Sequence, residues 1–512
     1  MIGAIGGVLL SVVNVDLGRQ LFVDDEVIES RQGVERHWNA PRKEDGPIIR
    51  PTSDGGKRIG GCAVATDGGL WWDPTIGRFR LWFEDDWCGH LRYAESPDGL
   101  AWTYPDLGKV PGTSRLFSDV EERIGETVDS WSVWPDYRAE NPFGRWTMLV
   151  SAPGGQTTDT LYESADGRTF RRLGVAGYSG DRTTMHFDRF LDAWVLSLRD
   201  YWKGRSRRFF SLKDFALPEH GYACATQHLA GTWIEAERWV EQPTGNLYNF
   251  DAVPYESLML GVRELHCGLE ITVKDGRTLH DNAASEYLGM PKCTWLQFCF
   301  SRDGRTYSSA GDACAIMPSG LGSGKWDTGY LSAIGGICVI RDERLWFYYS
   351  GLRGDGELRA ENVGAAPMRK QGIYFNGSIG AATLRRDGFC GMVADRRGEL
   401  VTKPLAFGGS RLFVNAECLF GEVAAEVVDG KGKPFAGFSL AECRGLRYVD
   451  RTKAELVFAG GALSALADKE PRIRFVLHCA TLYSFWISPS ARGESCGYVA
   501  AGGPAYRGLR DL

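Results

Sequence analysis

The stretch Ser96-Pro97-Asp98-Gly99-Leu100-Ala101-Trp102 decides the fold, because it returns. It recurs as Ser164-Ala165-Asp166-Gly167-Arg168-Thr169-Phe170 and as Ser301-Arg302-Asp303-Gly304-Arg305-Thr306-Tyr307. Weaker copies stand at Ser211-Leu212-Lys213-Asp214-Phe215 and Leu384-Arg385-Arg386-Asp387-Gly388-Phe389. Each copy follows a run of alternating, aromatic-rich residues. Asp-Gly is a hairpin signal, since glycine accepts the positive φ of a tight turn. The same turn recurring after strands means one supersecondary unit repeated. Five copies predict five blades of a β-propeller. The acids of the refrain, Asp98, Asp166 and Asp303, are then turn formers at outer hairpins.

Working outward from these turns, blade one is expected over about 60–105, with strands Cys62–Thr66, Gly69–Trp72, Arg78–Glu84 and Leu91–Ser96. Phe79, Leu81 and Phe83 alternate with Arg80 and Trp82, the period of two of a strand. Blade two opens at Val128-Asp129-Ser130-Trp131, blade three at Gly180-Asp181-Arg182-Thr183, blade four near Leu247–Val253 and blade five at Lys325-Trp326-Asp327. Leu21-Phe22-Val23 is the candidate N-terminal strand that completes the last blade. After about residue 405 the hairpin pattern ends. Glu422–Asp429 alternates in the manner of a two-layer sandwich. The expected class is therefore all-β, with a wrapping segment at 1–58, a propeller at 59–405, and a β-sandwich with a Gly-rich tail at 406–512.

A chain of 512 residues exceeds one ordinary core, which agrees with two domains. A net charge of −6 argues against a nucleic-acid surface. The chain has 17 Trp, 19 Tyr and 25 Phe, enough to fill blade cores and leave platforms for sugar rings. Its 13 Cys include no Cys-x-x-Cys, so neither a zinc site nor a disulfide framework is expected. Buried free thiols suit a reducing compartment, which predicts a cytoplasmic protein, with secretion as the alternative. The apolar run Met1–Val13 lacks a basic flank and is too short to span a membrane. It reads as a strand, the alternative being a degenerate signal peptide. No membrane partner is expected, and oligomeric state is not legible.

Inner strands of a propeller converge on one axis, and an Asp stands at each expected strand start: Asp67, Asp129, Asp181, Asp251 and Asp327. Like carboxylates in one pocket raise one another's pKa, so one holds a proton while another stays ionised. Glycosidic bond cleavage needs that division of labour. Each Asp has a plainer reading as a cap on backbone N–H groups. No phosphate loop, nucleophile elbow, metalloprotease helix or dinucleotide fingerprint is present. No cofactor is expected, although a structural calcium on the axis is compatible with the acids.

Asp67-Gly68-Gly69-Leu70-Trp71-Trp72 followed by Gly77-Arg78-Phe79-Arg80-Leu81-Trp82-Phe83 resembles blade one of the five-bladed β-propeller glycosidases, the superfamily of invertases, levanases and arabinanases. The resemblance implies a carbohydrate substrate and hydrolysis of a furanoside-type bond. It implies Asp67 as nucleophile and Asp129 as stabiliser of the oxocarbenium-like transition state. It also implies a C-terminal sandwich, with Asn415, Glu426–Asp429 and Leu482-Tyr483-Ser484-Phe485 similar to its first and last strands. The chain departs from the pattern in lacking Asn-Asp-Pro-Asn-Gly, Arg-Asp-Pro and the Glu-Cys pair of the general acid. Candidates for that acid are Asp181, Glu264, His266 and Asp327. His186 joins them because some relatives use a histidine donor. Arg182 and Arg199 are candidates to bind sugar hydroxyls or a carboxylate, or to pair the acids themselves. Trp131, Trp134 and Trp326 are candidate sugar platforms.

The alternatives are a non-catalytic glycan-binding propeller and a sialidase-like, phosphorylase or lyase activity on the same fold. The refrain is similar to the Asp-box of sialidases, but those have six blades and three equivalent arginines. A phosphorylase requires a basic cluster in the funnel, where the sequence offers only isolated arginines.

Overall fold

The computed structural model describes residues 11–51, 62–85, 89–118, 121, 128, 130–152, 157–179, 182–200, 206–213, 232–233, 246–267, 270–272, 278–280, 293–320, 323–352 and 377–512. The chain divides into two compact units. One comprises Ala40–Thr383 and Val499–Leu509; the other comprises Met1–Asn39, Leu384–Tyr498 and Arg510–Leu512.

The larger unit is a series of antiparallel blades, of which the fourth and fifth are joined into one sheet by a parallel pairing of Thr294 with Tyr330. Blade one is Ala63–Asp73, Arg78–Asp85 and His90–Ser96. Blade two is Ser130–Pro135, Trp146–Ala152, Thr157–Ser164 and Arg171–Ser179. Blade three is Thr184–Asp188, Ala193–Asp200, Ser206–Leu212 and Thr232–Trp233. Blade four is Asn246–Glu256, Leu258–Cys267 and Cys293–Ser301, and blade five is Tyr330–Arg341, Arg344–Leu352 and Ser378–Arg385. The first strand of each blade packs against the first strand of the next. The last of these, Tyr330–Arg341, returns to the first, Ala63–Asp73, so the ring closes at five. Closure removes sheet edges as a route to aggregation.

The strand that completes blade five is Arg42–Lys43, paired with Ala382 and Thr383. It is not Leu21-Phe22-Val23, since Leu21 pairs with Ser484 in the other unit. Leu21 and Phe22 are fully buried apolar side chains, whereas a blade's outer edge tolerates the polar Arg42 and Lys43. The inner strand of blade one is also continuous where two strands are expected. A bulge between Val64 and Gly69 takes up the break in its pairing.

The refrain turns lie where hairpins are expected, and they share one local chemistry. Asp98 Oδ1 accepts the N–H groups of Leu100 and Ala101 at 2.8 Å, and Asp166 does the same for Arg168 and Thr169 at 2.8 Å. Asp303 takes Arg305 and Thr306 at 2.8 and 2.7 Å. These donors hold all three carboxyls below the usual range, against the opposing pull of burial. Each turn also docks on the preceding blade. Tyr348 of blade five donates to Gly99 O at 2.9 Å, and Trp82 of blade one donates to Gly167 O at 3.0 Å. A Cβ on Gly304 would stand 2.2 Å from Asp188 of blade three. The refrain is therefore a staple between neighbouring blades as well as a turn.

Two copies of the refrain differ. Asp214 and Phe215 lie outside the described residues. Asp387 belongs to the smaller unit, where its buried carboxylate takes Arg19 at 3.0 Å, Ser484 at 2.6 Å and Asn415 at 3.2 Å. That unit is a ten-stranded sheet wound about Arg472–Ser488. This strand pairs along one edge with Cys390–Thr402 and along the other with Glu422–Val428 and Arg411–Glu417. Cys390–Thr402 thus lies in this unit, within the range 59–405 that the pattern allots to the propeller. Phe413 stacks on Trp486 at 5.6 Å, and Arg19 lies 4.1 Å over the same indole.

Candidate active site

The inner strands deliver polar groups to one buried cluster. The bulge in Ala63–Asp73 turns Asp67 to a φ of 60°, and Arg182, just ahead of the blade-three strand, has a φ of 63°. Left-handed geometry costs a non-glycine residue about 1–2 kcal/mol. Asp67 and Arg182 face each other in a bidentate pair, Nε to Oδ2 at 2.5 Å and Nη2 to Oδ1 at 2.8 Å. Arg182 Nη2 also donates to Glu264 Oε2 at 3.1 Å, and its Nη1 donates to the Tyr330 hydroxyl at 2.9 Å. Ser332 donates to Glu264 Oε1 at 3.3 Å, and Asn249 Nδ2 donates to Asp67 Oδ1.

Strand periodicity explains the set. Asn249 and Asp251 are two apart on one strand, Tyr330 and Ser332 are two apart on another, and Asn249 is the cross-strand partner of Glu264. All therefore share one face of their blades. Close backbone approach fixes the bulge: a Cβ on Gly68 would stand 2.5 Å from Trp82 O, and one on Gly335 would stand 2.3 Å from Gly68 O.

Charge is unevenly distributed in the cluster. Burial works against the Arg182 charge, but Asp67 and Glu264 outweigh it and hold its pKa well above the usual value. Asp251 goes the opposite way. Burial, then the charge of Asp67, pushes its carboxyl well above the carboxylate range, more than Arg182 and Arg207 restore. Its Oδ2 has no hydrogen-bond partner among the described residues. The cluster thus holds an ion-paired carboxylate, Asp67, beside a carboxyl, Asp251, that burial and Asp67 push toward its protonated form.

Of the residues singled out in the sequence, Asp67, Arg182, Glu264 and Asp251 come together here. Asp129 and Asp181 lie outside the described residues. Asp327 and Trp326 precede the blade-five inner strand instead of opening it. Asp327 takes Lys43 at 2.8 Å, Tyr349 at 2.9 Å and Ser319 at 2.6 Å, which ties the closing strand to its blade. Trp326 stacks on Tyr349 at 5.6 Å over Gly351 and Gly380. His186 packs edge-on to Phe209 and Phe250 at 5.6 and 6.1 Å. Burial pulls its pKa down to about 3, and neither ring nitrogen has a hydrogen-bond partner among the described residues. Trp131 is fully buried against Gly68, with no face open to a sugar ring. Trp134 packs on Trp71 at 4.7 Å, and His266 stacks on Tyr248 at 5.4 Å.

Sequence reasoning missed Asn249, Tyr330, Ser332 and Arg207. Asn249 carries a signal, since it sits two residues before Asp251 on one strand, whereas Tyr330 and Ser332 are spaced only from each other. Arg207 carries none; only strand pairing brings it opposite Arg199. Among the described residues no group of three or more His, Cys, Asp or Glu is arranged to hold a metal ion.

No family model matches the chain, and no curated protein matches it. Solved structures do. A fructofuranosidase from Schwanniomyces occidentalis aligns at 11% identity over 88% of this chain and 97% of that one, with a TM-score of 0.38. A glycosyl hydrolase from Bacteroides ovatus aligns at 10% identity over 68% and 94%, with a TM-score of 0.39. A mannose phosphorylase from Leishmania mexicana aligns at 11% identity over 67% and 89%, with a TM-score of 0.36. Likenesses this distant transfer no residue roles, and the chemistry of the site is argued from its own groups.

Proposed function

We propose that the chain is a glycoside hydrolase that uses Asp67 and Asp251 as its paired carboxylates. The observation that carries this reading is their opposite state within one cluster: Asp67 ion-paired to Arg182, Asp251 pushed toward its protonated form by burial and by Asp67. Asp251 delivers its proton to the glycosidic oxygen as the C–O bond breaks. Asp67 supplies the electron pair to the anomeric carbon. Water then releases the sugar, giving its proton to Asp251. Arg182 holds Asp67 and Glu264 in place and offers N–H groups to sugar hydroxyls. The blade-one motif, Asp67 followed by the alternating strands to Phe83, favours a furanoside, either fructosyl, arabinosyl or a related sugar.

The test is hydrolysis of aryl furanosides and pyranosides, fructans and arabinans by the wild type beside Asp67→Asn. Sugar release by the wild type alone supports the reading. Folded protein that is silent on the whole panel overturns it.

One observation favours a second reading, a non-catalytic glycan-binding propeller. Asp67, Arg182, Glu264 and Asn249 are all at most 2% exposed and are bonded to one another, as a structural lock would be. On that reading Asp67→Asn lowers stability and no turnover exists to lose.

A further inference from the structure

Beyond Thr383, only Val499–Leu509 belongs to the larger unit. Its first residues cross the ends of three inner strands. The Trp72 N–H of blade one donates to Ala501 O at 2.8 Å, and the Ile340 N–H of blade five donates to Gly502 O at 2.7 Å. In return the Ala501 N–H donates to Cys338 O at 3.0 Å, and the Ala500 N–H donates to Pro254 O of blade four at 3.1 Å. Trp72 Nε1 adds a bond to Tyr506 O at 3.2 Å, and the Tyr137 hydroxyl donates to Ala500 O at 3.4 Å. Val499, Ala500 and Ala501 are buried, and Ala500 is held at a φ of 48°.

The same three strands build the candidate site. Ala63–Asp73 carries Asp67, Asn246–Glu256 carries Asn249 and Asp251, and Tyr330–Arg341 carries Tyr330 and Ser332. All three are irregular. Their register breaks between Val64 and Gly69, between Leu247 and Asn249, and between Ala333 and Cys338. The inner strands of blades two and three pair without a break. A bulge disrupts the ladder and bends its strand, so pairing on one side of it does not by itself fix the residues on the other. The segment bonds each of the three strands C-terminal to its break, at Trp72, at Pro254, and at Cys338 and Ile340. Close packing continues from the segment to the site. A Cβ on Gly336 would stand 3.0 Å from Ala501 Cβ, and one on the adjoining Gly335 would stand 2.3 Å from the carbonyl of Gly68, which follows Asp67.

We propose that Val499–Gly503 is a positioning clamp for the candidate site. It holds the three bulged strands in the register that brings Asp67, Asn249, Asp251, Tyr330 and Ser332 together. The clamp rests on the glycosidase reading only for calling that cluster catalytic.

Hydrogen exchange on the full chain, read by mass spectrometry, tests it with Gly503→Ala. A Cβ at this position would stand 1.8 Å from Ile340 O and would force the segment off blade five. Exchange at the amides around Asp67, Asn249 and Ser332 should quicken about tenfold or more, although these lie several residues from the segment's bonding partners. Trp146–Ala152 and Ala193–Asp200, the second strands of blades two and three, should be unchanged. Faster exchange confined to Val499–Gly503 and its direct partners, or equal in every blade, overturns the clamp. If Gly503→Ala does not fold, exchange of the wild type in a low-urea series serves in its place. There the three site strands and Val499–Gly503 should open together with one common dependence on urea, and separate openings overturn the clamp. Exchange needs no turnover, so the two readings fail separately. An inactive chain with the coupled pattern overturns the catalytic reading alone, and an active chain without it overturns the clamp alone.

Discussion

Asp67 and Arg182 form a bidentate buried ion pair in which both partners are held at positive φ, 60° and 63°. Two strained backbones meeting through one ion pair is the pattern expected where a chain maintains a costly geometry for a purpose. The first consequence concerns stability. Asp67→Asn removes the bidentate carboxylate of Arg182 and leaves the buried cations Arg182 and Arg207 facing Glu264 with an excess of positive charge. A broken buried pair costs about 3–5 kcal/mol. Urea unfolding should show a loss of that order, and a loss below about 1 kcal/mol would mean that the pair is not formed in solution.

Asp251→Asn should act in the opposite sense. A carboxyl whose folded pKa is raised binds more protons folded than unfolded. Its stabilising contribution is complete below the ordinary carboxylate range and is lost as pH rises through the folded pKa. The amide has no such dependence. Thermal melts over a pH series should show Asp251→Asn gaining on the wild type as pH rises, and a difference constant with pH would contradict the raised carboxyl.

His186 gives a third, acid-side prediction. Its folded pKa, about 3, lies below the unfolded value, so the unfolded chain takes up the proton first. Stability is then lost as pH falls below about 6.5, by up to ~1.4 kcal/mol per pH unit. His186→Phe, beside Phe209 and Phe250, should flatten that limb in denaturant titrations. An unchanged acid limb would show that His186 is protonated in the folded chain.

Gly167→Ala probes the staple between blades one and two. The position has a φ of 68°, and a Cβ would stand 2.3 Å from Arg80 Nη1, which donates to Asp166 O. The left-handed backbone and the displaced arginine together should cost about 2–4 kcal/mol. A melting temperature equal to wild type would show that the refrain is a turn and nothing more.

Much of the ring was legible because turn chemistry is local. Ser96, Asp98 and Gly99 reveal their hairpin within a few residues, and repetition supplies the symmetry. The funnel acids were legible only in part. Asp67, Asp251 and Glu264 converge because strand alternation and blade order place them. Asp327 does not converge, because it lies three residues ahead of a strand that begins at Tyr330. His186 lies on the expected strand but among aromatic rings, and sequence does not say which neighbours a side chain will meet. Lys43, within the expected wrapping segment, takes the part expected of Leu21 for a similar reason: either short segment can add to a sheet edge, and only the partner edge decides.

The division of labour between Asp67 and Asp251 is tested most directly by leaving-group dependence. Asp251→Asn should be measured on aryl glycosides with good and with poor leaving groups, with Asp67→Asn alongside. A proton donor matters little when the leaving group departs as a stable anion. Asp251→Asn should therefore retain most turnover on the good leaving group and lose about 10²–10⁴-fold on the poor one, while Asp67→Asn loses both. Equal loss on the two substrates, or none, would contradict Asp251 as the acid and the paired-carboxylate account with it.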